Sequence, residues 1–236
     1  MIMSQSRSEP PKECPLRVDF CGAWLDVPKL ARDDAYIVNC AITPLVSLDN
    51  WPYEIGGGLA GSTAHAILTG DDPMAYELDS GAGWQDPAVL DETGLCVWKS
   101  GPDPNLIHRE SGKWFSGLLA ILNTGIQHNT PSLVDRPRDY DAIAEASRIG
   151  AEAVHLHDLA AFGMAMIATH ITQVSEGDPR LPEFGSVGRV LCGSASGGHG
   201  VYLFENRERR DKFVSDVEWA KAVEPYNRPP GTDWPA

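Results

Sequence analysis

Glu54-Ile-Gly-Gly-Gly-Leu-Ala-Gly-Ser-Thr-Ala-His-Ala-Ile-Leu68 sets a glycine-rich turn and a Ser-Thr pair directly ahead of an apolar helix start. Glycine lets main-chain N–H groups come close to an anion, and the free N–H groups of a helix N-terminus add donors and a favourable dipole without side-chain charge. The stretch reads either as a phosphate cradle or as a plain strand-to-helix turn. Ser62 and Thr63 suit the N-cap in both cases. Gly56 and Gly61 have P-loop spacing, but Ser62 stands where that motif demands Lys, so the common ATPase reading fails.

Around this loop, the 236 residues with 42% apolar content suffice for one large domain or two small ones. No apolar run is long enough to span a membrane, and Met1 to Pro15 is polar without a hydrophobic signal segment. A soluble protein that stays in the cytoplasm is expected. The formal charge of −14 argues against nucleic acid or an anionic membrane as partner, since either needs a basic face. Cys14, Cys21, Cys40, Cys96 and Cys192, five at irregular spacing, form neither a disulfide framework nor a zinc pattern and read as reduced, mostly buried thiols.

Leu16 to Leu48 reads as strand, turn and strand, with Pro28 and Asp33-Asp34 in the middle. A helix from about Ser62 to Thr69 is expected, then a turn at Asp71-Asp72-Pro73. A loop, a short helix and the strand Leu95-Cys-Val-Trp-Lys99 follow. Trp114 to Thr124 holds a buried strand. Asp141 to Val174 has helical spacing and fits two helices joined near His157-Asp158. Gly188-Arg-Val-Leu leads into a second glycine run, Cys192 to Gly200, and out through Val201-Tyr-Leu-Phe. Asn206 to Ala222 is expected to be helical, and Pro225 to Pro235 to be a loosely attached tail. The whole is an α+β, two-layer protein with a β-rich N-terminal part and a helical C-terminal part with returning strands. Its expected divisions are a flexible N-terminus at 1–14, parts at 15–105 and 106–224, and a proline-rich tail at 225–236.

His155, His157 and His170 do not make a metal site by spacing, because residues two apart on a helix do not share a face; surface or internally satisfied histidines are the reading. His128 and His199 take no role.

Three segments, Arg17-Val-Asp-Phe-Cys-Gly-Ala-Trp-Leu-Asp26, Gly56 to Thr63 and Gly193 to Gly200, resemble in that order the three motifs of the GHMP kinase superfamily. Gly83-Trp-Gln-Asp86 further resembles the Gly-x-Gln-Asp element of its fucokinase and D-glycero-D-manno-heptose 7-phosphate kinase branch. The resemblance covers nearly the whole chain and implies a GHMP-kinase-like fold. It also implies ATP-dependent phosphorylation of a sugar or sugar phosphate, at an anomeric hydroxyl. ATP and Mg²⁺ are the implied cofactors. Gly57, Gly58, Leu59, Ala60, Gly61, Ser62 and Thr63 would wrap the phosphates, and a hydroxyl, that of Ser62 first, would sit near the metal. Asp86 would act on the acceptor hydroxyl as base or orienting acceptor, with Arg17 offsetting charge on the phosphoryl group. Asp26, Trp24 and Gly22 would meet the sugar, and Gly197 and Gly198 would support the site from behind.

Read from the residues alone, Asp86-Pro87 is an ordinary helix-start or turn pair, Arg17 a surface cation at a strand start and Trp24 a core residue. Three stretches are shorter than in relatives: before the glycine-rich loop, between Gly70 and Gly83, and over Pro182 to Val187. Ala60 also replaces a usual glycine. An inactive nucleotide- or sugar-binding relative is therefore the alternative, and a structural or partner-binding domain a third. Shortened edges leave strands that could pair with a second copy, although nothing in the residues requires a homodimer.

Overall fold

A computed structural model describes residues 9–51, 58–126, 135–192 and 198–230. Strand β1 (Cys14–Cys21) pairs antiparallel with β2 (Tyr36–Val46), Arg17 lying opposite Ala41 and Asp19 opposite Asn39. Every residue of β1 is buried, so the strand is covered on both sides. Strand alternation then divides its side chains: Leu16, Val18 and Phe20 enter the main core, and Arg17 and Asp19 go to the other face. This one alternation places two charges deep in the molecule.

Three helices follow the glycine-rich loop: α1 (Gly61–Thr69), α2 (Pro73–Asp79) and α3 (Gln85–Glu92). Sequence reading left α2 as a turn at Asp71-Asp72-Pro73. In the fold that turn is the helix start, because Asp72 accepts from the N–H groups of Met74 and Ala75, both at 3.0 Å, and Pro73 takes the first-turn position that needs no N–H. Strand β3 (Leu95–Lys99) pairs with β2 and carries β4 (Asn105–Glu110) on its far side. The sequence gives β4 little signature, since it is a mostly exposed edge with polar residues.

The second half contains β5 (Leu119–Asn123), the helical pair α4 (Tyr140–Leu156) and α5 (Leu159–Ser175), then β6 (Gly188–Cys192) and β7 (His199–Leu203). His157, with φ +52°, ends α4, and Asp158 starts α5, its carboxylate accepting from Ala161 N–H at 3.0 Å. The single helix expected over Asn206 to Ala222 is corrected to α6 (Arg207–Asp216) followed by strand β8 (Ala220–Pro225). Tertiary pairing overrides local preference there: β8 lies between β2 and β5 and joins both halves into one antiparallel sheet, ordered β4-β3-β2-β8-β5-β7-β6 with β1 also on β2. The tail is tied down at its start, where Tyr226 N donates to the Ala41 carbonyl at 2.8 Å and Asn227 donates to the Ser111 carbonyl at 2.9 Å. Residues 231–236 lie outside the described ones.

The α4–α5 pair packs on β1, β2 and β6, and α6 packs on β5 and β8. Phe20, Phe115, Phe162 and Trp114 interlock in the core, with ring centroids of Phe20 and Phe162 5.0 Å apart. Such pairs add about 0.5–1.5 kcal/mol beyond area burial. The α+β class and the two-layer arrangement are as the sequence indicated. No described helix is long and apolar enough to cross a membrane.

Candidate active site

Arg17 is the hub. Its Nε and Nη2 both reach Oδ1 of Asp86 at 2.7 Å, and its Nη1 lies 3.4 Å from Asp19 and donates to the Gly58 carbonyl at 3.0 Å. The Arg17 N–H also donates to the Leu59 carbonyl at 3.1 Å, so β1 clamps the glycine-rich loop through both main chain and side chain. Gly58 has φ +82°, and a Cβ there would lie 2.2 Å from the Cys192 carbonyl oxygen. Only glycine permits that approach, which brings the loop onto the end of β6, where the second glycine run begins.

Asp86 sits in the first turn of α3, where the helix dipole favours a carboxylate. Its neighbours explain the Gly-Trp-Gln-Asp spacing. A Cβ on Gly83 would fall 1.7 Å from Asp26 Oδ2, so the residue must be glycine for Asp26 to fit. Gln85 donates to both Asp26 oxygens, through N–H to Oδ2 at 3.3 Å and through Nε2 to Oδ1 at 3.2 Å. The Gln85 carbonyl oxygen accepts from Asn39 at 3.4 Å, and Asn39 accepts from Trp98 Nε1 at 3.0 Å. The Asp26 carboxylate is thus engaged within the chain.

Helix α1 begins at Gly61, its first N–H groups having no acceptor inside the helix. Ala60, with φ +61°, turns the chain into it. The hydroxyls of Ser62 and Thr63 donate to the same oxygen of Glu77 on α2, at 2.8 and 2.6 Å. Sequence reading missed Glu77. The available signal was the Asp72-Pro73 helix start, which places Glu77 one turn into a short helix facing α1. Together these residues offer an oxygen-only donor set at a helix N-terminus, the chemistry Mg²⁺ prefers. Main-chain N–H groups and close-approaching glycine on the same side suit polyphosphate.

The electrostatics follow from placing Asp19 and Asp86 on one guanidinium, with Asp26 and Glu77 buried near Asp86. Burial pushes the Asp26 carboxyl up to about 7, helped by the charges of Asp19 and Asp86. Burial and Asp86 likewise raise Glu77, against the hydrogen bonds from Thr63 and Ser62. Burial works against the charge of Arg17, but Asp19 and Asp86 outweigh it and keep the guanidinium protonated. Asp86 is the most open of the set, its side chain 18% exposed against 2% for Asp19.

The other expected residues fall as follows. Trp24 is buried with φ +78°, and the Arg138 guanidinium covers its ring at 4.1 Å, so that face is closed to a sugar. Gly22 packs against β2; a Cβ there would lie 1.9 Å from the Tyr36 carbonyl oxygen. Gly198 is fastened behind the site, its carbonyl accepting from Thr124 N–H at 2.9 Å. Gly57 and Gly197 lie outside the described residues. His170 is internally satisfied, its Nε2 accepting from Leu181 N–H at 3.0 Å. Arg17, Asp26, Gly58, Leu59, Ala60, Gly61, Ser62, Thr63 and Asp86 are brought together.

No family model matches the chain, and no curated protein matches its sequence. Solved structures do match. Mevalonate kinase of Methanococcus jannaschii aligns with TM-score 0.67 at 14% identity, over 91% of this chain and 98% of that one. Galactokinase of Lactococcus lactis, complexed with galactose, aligns with TM-score 0.61 at 11% identity, over 90% and 92%. A D-glycero-D-manno-heptose 1-phosphate kinase from Bacteriodes thetaiotaomicron aligns with TM-score 0.58 at 12% identity, over 90% and 94%. At such identities the likeness is one of fold, and the fold is that of the GHMP kinases.

Proposed function

We propose that the chain is an ATP-dependent small-molecule kinase that phosphorylates a hydroxyl, anomeric by preference, of a sugar or sugar phosphate. The observation that carries this reading is the Arg17–Asp86 fork. Nε and Nη2 of the guanidinium both hold Oδ1, which leaves Oδ2 of the most open carboxylate in an acidic cluster for an incoming hydroxyl. A positioned base of this kind contributes about 10²- to 10⁴-fold in rate.

ATP would supply the phosphoryl group, and Mg²⁺ the charge neutralisation on its phosphates. Ser62 and Glu77 would hold the metal, and Gly57, Gly58, Leu59, Ala60, Gly61, Ser62 and Thr63 the phosphates. Asp86 orients the acceptor hydroxyl and takes its proton at Oδ2. Arg17 holds Asp86 in place through Oδ1 and would stand close enough to offset charge on the group in transfer. Asp26 would shape the wall beside the acceptor with Gly197 and Gly198 behind it, while Trp24, covered by Arg138, and Gly22, packed against Tyr36, would support that wall without meeting the acceptor. Preference for a sugar rests on the Gly83-to-Asp86 element together with the fold likeness to galactose and heptose phosphate kinases.

The test is ATP consumption with Mg²⁺ across fucose, galactose, heptose 7-phosphate and mevalonate, comparing the wild type with Asp86→Asn. Sugar-dependent ADP release that the variant lacks is the expected result. Folded protein that is stabilised by ATP and Mg²⁺ yet turns over no acceptor supports the inactive binding protein instead. Absence of any stabilisation removes both readings.

A further inference from the structure

Helix α3 begins without a cap of its own. Trp84 holds the N-cap position, yet its side chain caps nothing, its Nε1 donating instead to the Gly101 carbonyl at 2.9 Å. The missing acceptor comes from another part of the chain. Asp26, 59 residues away, takes the first N–H of the helix, that of Gln85, at its Oδ2. Asp26 therefore closes the turn that carries Asp86.

The side chains behind it form a relay with only one possible sense. An indole N–H can only donate, so Trp98 Nε1 requires the oxygen of Asn39. Asn39 must then turn its NH2 to Gln85 Oε1, and Gln85 its NH2 to Asp26 Oδ1. The relay ends on a group that accepts at both of its oxygens, as an Asp carboxylate does and an Asn amide cannot. Asp26, Gln85, Asn39 and Trp98 are all buried, so a mismatched pair among them would go uncompensated.

The Asp86 carboxylate is thus held from two directions. Two Arg17 nitrogens on the single oxygen Oδ1 leave the group able to turn about that oxygen. A first turn fixed at Gln85, one residue earlier, removes that freedom. Asp26 itself offers an acceptor almost no surface, being 2% exposed, with Gly83 packed directly against its Oδ2. We propose that Asp26 is a positioning residue: through Gln85 it fixes the first turn of α3 and the direction of Asp86 Oδ2, and it does not bind the acceptor. The catalytic consequence rests on the kinase reading above, and the geometry on the relay alone.

The test combines steady-state kinetics, melting temperatures and crystal structures of the full chain as wild type, Asp26→Asn and Trp98→Phe. In Asp26→Asn an NH2 group faces one of the two Gln85 donors. Its kcat should fall by up to about 10²-fold for a displacement near ~1 Å, while KM for the sugar stays at the wild-type value. Trp98 makes no hydrogen bond to Asp26 or Asp86, and Trp98→Phe keeps a ring against Trp84 while freeing Asn39 to reverse. Here too kcat should fall, by a smaller factor, with KM unchanged. A raised sugar KM with kcat retained in Asp26→Asn makes Asp26 a ligand of the acceptor and overturns the proposal, as does wild-type kcat in both variants. The crystal structure of Asp26→Asn gives a reading without turnover, in which Gln85 should turn away from residue 26 and Asp86 should shift on Arg17. An unchanged Arg17–Asp86 fork overturns the positioning role whether or not the protein is a kinase. A wild type that turns over no acceptor counts against the kinase reading, and the fork then decides the geometry by itself.

Discussion

Two of the buried polar clusters among the described residues differ in how they close. Around α5 and β6, the Gln173 side chain donates to the Leu191 carbonyl at 2.9 Å and accepts from Leu191 N–H at 3.1 Å, completing the edge of β6 as a neighbouring strand would. His170 and Arg189 fasten the adjacent Leu181 main chain in the same way, through its N–H and carbonyl. Donors and acceptors match, and burial lowers the His170 pKa toward the neutral ring. Around Arg17, Asp19 and Asp86 contact the guanidinium, Asp26 and Glu77 feel the charge of Asp86, and burial raises the last two. Grouped carboxylates that burial pushes toward the neutral form suit a place where, on the proposed reading, a cation and a reacting hydroxyl would enter. The first cluster holds a strand; the second is the one we propose to meet a metal and a hydroxyl.

The contrast can be broken experimentally. Asp86→Asn keeps an oxygen for Arg17 but removes the base, so turnover should fall about 10²- to 10⁴-fold while the melting temperature stays near wild type. A variant retaining a third of wild-type turnover would show that Asp86 only fastens Arg17. Arg17→Met leaves Asp19 and Asp86 without their cation and should cost about 3–5 kcal/mol in denaturant unfolding, along with activity.

Asp26 supplies a pH test. Its folded carboxyl titrates near 7 rather than the ordinary 3.8, so its contribution is full below about pH 4 and is lost as pH rises through 7. Asp26→Asn should remove that slope, which is on the order of a few kcal/mol; an identical pH–stability curve would show that Asp26 does not carry it. In the closed cluster, Gln173→Leu strands both polar groups of Leu191 and should cost about 1–3 kcal/mol. Its kcat and KM should not move. If they do, the two clusters are coupled through β6.

Several candidate site residues could be singled out in the sequence through the motif resemblance, although read alone they pass for an ordinary helix start, a strand-start cation and core. Gly83, Gln85 and Asp86 could be singled out as one element, and Arg17 with Asp26 as another. Their reasons could not be read. That Gly83 is glycine to make room for the Asp26 carboxylate, or that Arg17 forks onto Asp86 across 69 residues, depends on packing that brings β1 to α3. Glu77 was missed because its partners Ser62 and Thr63 lie on another helix, and Trp24 was read as facing a sugar because Arg138 is 114 residues away in the chain.

What the sequence by itself determined is the set of elements whose signals lie within a few residues. These are the β1–β2 hairpin, the helix at Gly61, the α4–α5 pair split at Asp158, and the glycine runs with the acidic balance that points away from nucleic acid. Only the tertiary structure decided that Ala220 to Pro225 is a strand and that Asp72 begins a helix. Strand pairing and burial are set by residues distant in the chain, and a short segment such as β8 takes its conformation from the two strands it joins.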